Sequence, residues 1–416
     1  MIADIEASLA EFVAIRRDLH AHPELCFAEE RTASQVAGLL ERWGIPVTRG
    51  IGRTGVVGVI RRGQGQRAIG LRADMDALPL QEHNRFAHAS RHEGRMHACG
   101  HDGHTAMLLA AARHLALHAE FDGTVVLIFQ PAEEGGTGAL AMMEDGLFDR
   151  FPVDAVFAAH NWPGLPVGSF AVSPGPMMAS CNEFSIVVHG KGAHAAMPDQ
   201  GVDAIQVAFQ IGTALQTIVS RNVKPTEPVV LSVTQVHAGD ALNVLPDSCE
   251  LRGTVRCFSI EARDFVEARM RELVQHIGAA HGARCEMHFK CNCPPTTNHP
   301  FETAFVQRVL RDLVGAGNVR PFEPTMSAED FSFMLQAKAG CYFMIGNGEG
   351  DHRSAGHGLG PCMLHNPSFD FNDALIPIGA AAWVRLAQAW LAEERKCAGS
   401  SPFPVIPRTD RPLPPT

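Results

Sequence analysis

Short apolar runs alternate with amphipathic helical stretches along the first 180 residues. Helices are predicted between Ala7 and Trp43, over Ala139–Glu144, and from about His104 onward, where Met107, Leu108, Ala111, Ala112 and Leu115 form one apolar face. The apolar runs have the length of buried strands and cover residues 55–60, 68–73, 124–129 and 155–159. Strands that alternate with helices in this way predict a doubly wound α/β domain.

The pattern changes near Ser180. Strands are predicted at 184–189, 229–234, 249–258 and 285–290, with helices at 201–220 and 260–281. This order predicts a ferredoxin-like α+β insert. Further helices and a strand at 341–345 then indicate a return to the first domain. We therefore expect a catalytic domain in two parts, 1–181 and 295–400, an inserted lid domain at 182–294, and a loose C-terminal extension at 401–416.

Composition narrows the possible functions. The chain has 416 residues, of which 46% are hydrophobic and 19% charged, as in multidomain globular proteins. A net charge of −10 without a basic run argues against nucleic acid or an anionic membrane as a partner. The N-terminal segment is amphipathic with early acidic residues, so we expect no signal peptide, and no run approaches the ~20 apolar residues of a membrane span.

The eleven cysteines are scattered, which favours free thiols in a cytoplasmic protein over a disulfide framework. The two nearest, Cys291 and Cys293, are too close together for a metal clip of the usual spacing. We expect them to be ordinary surface or half-buried thiols.

The stretch Met96–His104 concentrates side chains that can bind metal. Thiolate and imidazole together suit borderline-soft divalent metals, zinc above all. Cys99 and His101 flank Gly100, which lets the backbone turn so that both side chains can reach one ion. We expect both residues in the loop before the helix. His97 and His104 are predicted to shape that loop and the helix start instead of binding metal.

Other polar side chains lie at the ends of predicted core strands or in loops: the pair Glu133-Glu134, then His160, and later His365. Adjacent side chains at a strand end point in different directions, so one glutamate can bind metal while the other serves as a base. If Glu133 is counted as the base, five potential ligands remain: Cys99, His101, Glu134, His160 and His365. Five ligands are too many for one tetrahedral zinc. Five ligands suit two ions bridged by the Cys99 thiolate.

Ordered motifs along nearly the whole chain resemble the M20 family of metallopeptidases and amidohydrolases, in its hippurate hydrolase, N-acyl-amino-acid amidohydrolase and auxin-conjugate hydrolase branch. The motifs are Arg17-Asp18-Leu19-His20, Arg72-Ala73-Asp74-Met75-Asp76-Ala77-Leu78-Pro79, residues 96–106, Gln130-Pro131-Ala132-Glu133-Glu134, Gly190–Pro198, Asn243–Asp247 and Leu364-His365-Asn366-Pro367.

The resemblance implies a role for each candidate residue. It implies that Glu133 is the general base and that His194, commonly reaching in from the partner subunit of a homodimer formed by the lid, polarises the scissile carbonyl. Asn243 would help hold the substrate. The implied metal ligands are Cys99, His101, Glu134, His160 and His365. Many M20 peptidases have a His-x-Asp pair where this chain has Asp74-Met75-Asp76, so the resemblance does not assign Asp74. We interpret Asp76 as a residue that steers a ligand or Glu133, and Asp74 as either a similar support or a structural residue.

The expected function is hydrolysis of N-acyl amino acids by an amidohydrolase with two divalent ions, for which zinc, manganese, cobalt and nickel are all compatible. Glu133 would take a proton from water and return it to the leaving amine. Three alternatives stay open. They are an M20-type dipeptidase or carboxypeptidase, an enzyme with Cys99 as nucleophile, and a metal-stabilised conjugate-binding protein without turnover.

Overall fold

The computed structural model describes residues 5–393, so the predicted extension at 401–416 lies outside the described residues. The strands are β1 (Val47–Ile51), β2 (Gly55–Arg62), β3 (Ala68–Asp74), β4 (Gly123–Gln130), β5 (Ala155–Pro163), β6 (Phe170–Ala171), β7 (Gly175–Met178), β8 (Cys181–His189), β9 (Ala193–His194), β10 (Val229–His237), β11 (Val244–Leu245), β12 (Ser248–Cys257), β13 (Arg284–Cys293), β14 (Thr296–Asn298), β15 (Val319–Arg320) and β16 (Ala339–Gly348). The helices span Leu9–Ala21, Glu30–Arg42, His101–Leu117, Gly138–Glu144, Leu147–Arg150, Ala204–Thr217, Ile260–Ala280, Pro300–Val314, Ser332–Ala337 and Leu375–Ala392.

The larger unit is built on an eight-stranded sheet with the order β1-β2-β4-β3-β5-β16-β6-β15. Its centre is parallel, since β3 pairs in parallel with both β4 and β5, and β5 pairs in parallel with β16. Parallel neighbours place the carboxyl ends of β3, β4 and β5 at the same edge, where loops open to ligands.

Both faces of this sheet are covered by helices, as the apolar runs predicted. In β4, Val125, Leu127 and Phe129 join one core, whereas Val126 and Ile128 join the core on the opposite face. Successive residues of a strand point to opposite faces of the sheet. Because both faces are buried here, the run is apolar at every position. The α/β fold class predicted from the sequence is confirmed.

Residues 181–293 contain a separate antiparallel sheet with the order β10-β12-β8-β13. The helix Ala204–Thr217 follows β8 and the helix Ile260–Ala280 follows β12, and both pack on this sheet around a third core. The order strand, helix, strand, strand, helix, strand agrees with the ferredoxin-like arrangement expected from the sequence. The assignment of a lid domain with boundaries at 182 and 294 stays a prediction.

The last helix, Leu375–Ala392, is long and apolar enough by length and composition to span a membrane, which the sequence reading did not anticipate. It is instead a core helix: 72% of its residues are buried, and it packs against the helices His101–Leu117 and Pro300–Val314. Trp383 and Trp390 fill the core on this face of the sheet.

Candidate metal centre and active site

The predicted site residues converge on the edge where β3, β4 and β5 end. Asp74 is the last residue of β3, Glu133 and Glu134 follow β4 closely, and His160 belongs to β5. The strand was expected to end on His160, but β5 continues to Pro163 and places His160 inside the strand. Pairing of β5 with β16 extends as far as Pro163, which explains the longer strand.

Gly100 shapes the loop that carries Cys99. Its φ of +93° lies in the left-handed region, and a Cβ added there would lie 2.3 Å from Nδ2 of Asn161. That amide donates a hydrogen bond to the Cys99 carbonyl at 2.6 Å. The helix begins at His101, so the expected start near His104 was three residues late. The helix begins earlier than expected because the Gly100 carbonyl already accepts hydrogen bonds from the N–H groups of Gly103 and His104.

The structure brings all five predicted ligands together. Ligand atoms of Cys99, His101 and His160 lie within 4.8 Å of one another, and so do those of Cys99, Glu134 and His365. The Cys99 Sγ is 3.3 Å from His160 Nε2, and His365 Nε2 is 3.1 Å from Glu134 Oε1. Cys99 is the member common to both groups, which is the position that a bridging thiolate would take.

The hydrogen bonds of the two buried histidines leave one ring nitrogen of each for a ligand. Nδ1 of His101 lies 3.2 Å from Asp76 Oδ1, and Nδ1 of His160 lies 2.7 Å from the Asn161 carbonyl. If both Nδ1 atoms donate, both Nε2 atoms carry a lone pair. His101 Nε2 is buried and has no hydrogen-bond partner. An orphaned nitrogen of this kind fits coordination of a divalent metal ion.

The charge around Cys99 also fits cations. Burial and the carboxylates of Glu134 and Glu133 raise the pKa of the Cys99 thiol well above its ordinary value. A thiolate at this position therefore requires positive charge beside it, and divalent metal ions supply such charge. The residues present fit two adjacent divalent ions.

His104 and His97 differ from the ligand histidines. His104 Nδ1 lies 2.6 Å from Asp74 Oδ1, and its Nε2 accepts from the Asn161 N–H at 2.9 Å, so both ring nitrogens have protein partners. His97 is buried with both ring nitrogens unpartnered, and its burial lowers its pKa to about 4. No group of potential ligands among residues 5–393 includes His97.

Glu133 and Glu134 face different neighbours, as adjacent residues after a strand should. Both glutamates group with His101, but only Glu134 groups with Cys99 and His365, and only Glu133 groups with Glu329 and Asp330. Burial, together with the negative charges of Glu329, Glu134 and Asp330, raises the pKa of Glu133 well above its ordinary value. A carboxyl group with a raised pKa beside the ligand cluster has the properties of a general base and acid.

A buried charge network that sequence reasoning missed lies behind the site. Arg72 donates to Asp74 Oδ2 at 2.7 Å, to Glu329 Oε1 at 2.9 Å and to Gln130 Oε1 at 2.8 Å. Arg72 is completely buried in β3. A charged residue inside an apolar strand must be paired, so Arg72 itself was the available signal for a buried acidic partner. Because adjacent acids also occur at Glu29-Glu30 and Glu144-Asp145, the sequence did not single out Glu329-Asp330 as that partner.

Cys26 was also missed. Its Sγ lies 3.3 Å from Asp76 Oδ2 and 3.0 Å from the Glu134 carbonyl oxygen. The Glu134 N–H donates to the same Asp76 oxygen at 2.9 Å. Asp76 thus connects the loop after β4 with His101, and no sequence signal linked Cys26 to it.

His194 and Asn243 lie in the smaller unit, apart from the ligand groups. Both are exposed and line one open groove there. His194 pairs with Val244 between β9 and β11, and its Nδ1 accepts from the Ala196 N–H at 3.0 Å. The structure brings these two residues together but does not bring either to Cys99, so their roles stay predictions.

The fold and this site define an α/β metallohydrolase with a candidate dinuclear centre. Residues 70–389 match the model of peptidase family M20/M25/M40, and the chain belongs to this family. It is 40% identical to a hippurate hydrolase of Campylobacter jejuni, covering 94% of this chain and 99% of that one. It is 38% identical to thermostable carboxypeptidase 1 of Saccharolobus solfataricus, covering 90% and 94%.

A solved structure of the same family is also similar to this chain. A dinuclear metal-binding peptidase of the M20 family from Bacillus subtilis superimposes with a TM-score of 0.79 at 34% identity, covering 93% of this chain and 99% of that one.

Proposed function

We propose that this protein is a metal-dependent amidohydrolase that cleaves the amide bond of N-acyl amino acids. The observation that carries the proposal is the position of Cys99, which forms one group of potential ligands with His101 and His160 and another with Glu134 and His365. Glu133 lies beside both groups, within reach of His101 and Glu134. Family membership and a 40% identical hippurate hydrolase support the same reaction class.

Two divalent ions would be held by Cys99 together with His101, His160, Glu134 and His365. When bound, such ions supply Lewis-acid chemistry, making water more acidic and polarising a carbonyl group. Zinc, manganese, cobalt and nickel all suit a ligand set that mixes thiolate, imidazole and carboxylate.

Glu133 is the residue that moves the proton. In its ionised form it accepts a proton from the attacking water, and its raised pKa then suits it to hold that proton and deliver it to the leaving nitrogen. Glu329 and Asp330, which share its surroundings, favour the protonated form by repulsion.

Asp76 positions the site. It accepts a hydrogen bond from His101 Nδ1 and another from the Glu134 N–H, so it orients one ligand directly and holds the loop of the other. Asp74 uses its two carboxylate oxygens on His104 and Arg72, which favours a structural role for it.

His194 is proposed to polarise the scissile carbonyl and Asn243 to bind the substrate, both from the lid of a partner subunit in a homodimer. Their exposure in one groove, away from Cys99, supports delivery to another subunit. We also propose a cytoplasmic location. The ten cysteines of residues 5–393 are all free thiols, as in a reducing compartment.

A carboxypeptidase or dipeptidase is the second candidate, favoured by the relative from Saccharolobus solfataricus. The two reactions break the same kind of bond, an amide next to a residue with a free carboxylate. They differ in whether the acyl side is a simple acid or a peptide.

The proposal is tested by stripping the protein with a chelator, reloading it with each of the four metals, and measuring amine release. The panel contains N-benzoylglycine, N-acetyl amino acids, dipeptides and N-blocked peptides. We expect metal-dependent release that is fastest from simple N-acyl amino acids. Fastest release from peptides would favour the second candidate. Turnover that survives chelation but not thiol alkylation would favour Cys99 as a nucleophile, and bound metal without any hydrolysis would favour a binding protein.

A further inference from the structure

The chain passes twice between the two units, and the two passages run side by side. β7 and β14 pair antiparallel just outside the smaller unit, with Met178 opposite Thr296. β8 and β13 pair antiparallel inside it, beginning with Cys181 opposite Cys293. This cysteine pair therefore bridges the entry and exit strands at the junction of the two units.

The register makes Cys293, not Cys291, the partner of Cys181. A register shift between Cys291 and Cys293 leaves Cys291 opposite Asn182. Residues directly opposite on antiparallel strands have Cα atoms about 4.5–5.5 Å apart, within the ~4.4–6.8 Å range that disulfides span. Side chains of directly opposite residues lie next to each other on the same face of the sheet, so the register places the two thiols side by side.

Neighbouring hydrogen bonds hold the entry strand in place on both sides of Cys181. The Ser180 N–H donates to the Cys257 carbonyl at 2.7 Å, and Asn182 Nδ2 donates to the Val255 carbonyl at 3.0 Å. Because both residues next to Cys181 are hydrogen-bonded to β12, Cys181 can keep its position opposite Cys293 without a rearrangement of the strands.

Cys181 differs from the other described cysteines in acidity. The hydrogen bond from Cys293, helped by the positive charge of Arg256, lowers the pKa of Cys181 to about 6. The pKa values of the other nine cysteines among residues 5–393 are all raised, mostly by burial. Cys181 is also only half-buried, so small solutes can reach it.

We propose that Cys181 and Cys293 form a redox-active dithiol that hydrogen peroxide converts into a disulfide across the junction of the two units. The Cys181 thiolate attacks one peroxide oxygen, the O–O bond breaks, and a sulfenic acid and hydroxide form. The Cys293 sulfur then attacks the Cys181 sulfur, its thiol proton goes to the departing oxygen, and the S–O bond breaks. The hydroxide takes up the proton that Cys181 released on ionising. Both cysteines are thus oxidised, and the peroxide is reduced to two molecules of water. A reducing dithiol reverses the modification by exchange.

The test is peptide mapping by mass spectrometry after brief peroxide treatment and thiol blocking, without reduction. We expect a Cys181–Cys293 cross-linked peptide that disappears on reduction. The matched control is Cys291→Ser, two residues from Cys293, which should retain the cross-link. In Cys293→Ser the cross-link should be lost, and a sulfenic-acid probe should label Cys181. These covalent readouts do not depend on the proposed enzymatic activity.

A second measurement uses the wild-type protein and so does not depend on the folding of a variant. Near neutral pH, iodoacetamide should alkylate Cys181 before the other nine cysteines of residues 5–393. Equal or slower alkylation of Cys181, a cross-link to Cys291 instead, or no cross-link after peroxide treatment would each overturn the proposal.

Discussion

Asp76 Oδ1 lies 3.2 Å from Nδ1 of His101, while the other ring nitrogen of His101 is buried without a hydrogen-bond partner. The contact sets the orientation of the ring and favours the tautomer in which Nε2 is free to coordinate. The same carboxylate accepts the Glu134 N–H through its second oxygen. One side chain therefore positions parts of both predicted ligand groups.

Asp76→Asn should weaken metal binding about 10–100-fold, because an amide cannot accept both hydrogen bonds that the two carboxylate oxygens accept. A chelator competition titration measures the effect. The control is Asp154→Asn, in which a carboxylate that accepts the Ala68 N–H at 2.8 Å, at the opposite end of β3, is changed in the same way. Equal losses of affinity in the two variants would contradict a specific role for Asp76.

Gly100→Ala should disturb the Cys99 loop, since its Cβ would lie 2.3 Å from the Asn161 amide and its φ would remain positive. We expect loss of bound metal together with a lower melting temperature. Gly94→Ala is the matched control, because Gly94 has a φ of +71° but no atom within 4 Å of an added Cβ. That variant should lose about 1 kcal/mol of stability and keep its metal. Retention of full metal content by both variants would argue against this account of the loop.

His20 should make stability depend on pH. Burial acts to lower its pKa, but hydrogen bonds and charge from Asp102 and Glu82 raise it from 6.5 to about 9. Because the pKa of His20 is higher in the folded state than in the unfolded state, protonated His20 stabilises the folded state. This stabilisation is fully present below pH 6.5 and is lost as pH rises through about 9. The contribution of His20 to the free energy of unfolding is on the order of 3 kcal/mol.

Urea unfolding at a series of pH values measures the His20 contribution. The wild-type free energy of unfolding should fall across this window. The profile of His20→Gln should be flatter, since glutamine does not titrate. Parallel profiles for the two proteins would show that His20 is not the group responsible.

The elements that position the site were predictable because their signals are local. The apolar runs of β3, β4 and β5 are buried on both faces, and polar residues after such strands mark the edge where ligands bind. The convergence of Cys99, His101 and Glu134 followed from that topology. The start of the helix at His101 was not predicted, because a glycine in the left-handed conformation begins it.

Contacts between distant segments could not be predicted in this way. Arg72 meets Glu329 across 257 residues, and Cys26 meets Asp76 across 50, so only the folded chain brings them together. The pairing of Cys181 with Cys293 depends on a register shift inside β13, which leaves no mark in the hydrophobic pattern. From the sequence, Cys293 was an ordinary thiol.

The central claim is that Glu133 moves the proton while other side chains hold two metal ions. Glu133→Gln keeps the size and hydrogen-bonding capacity of the side chain but cannot accept the proton of water. The decisive measurement combines metal analysis of this variant with its rate of amine release from the best N-acyl amino acid. We predict two metal equivalents per chain, as in the wild type, and a rate lower by about 10²–10⁴-fold. A wild-type rate with full metal content would contradict the account.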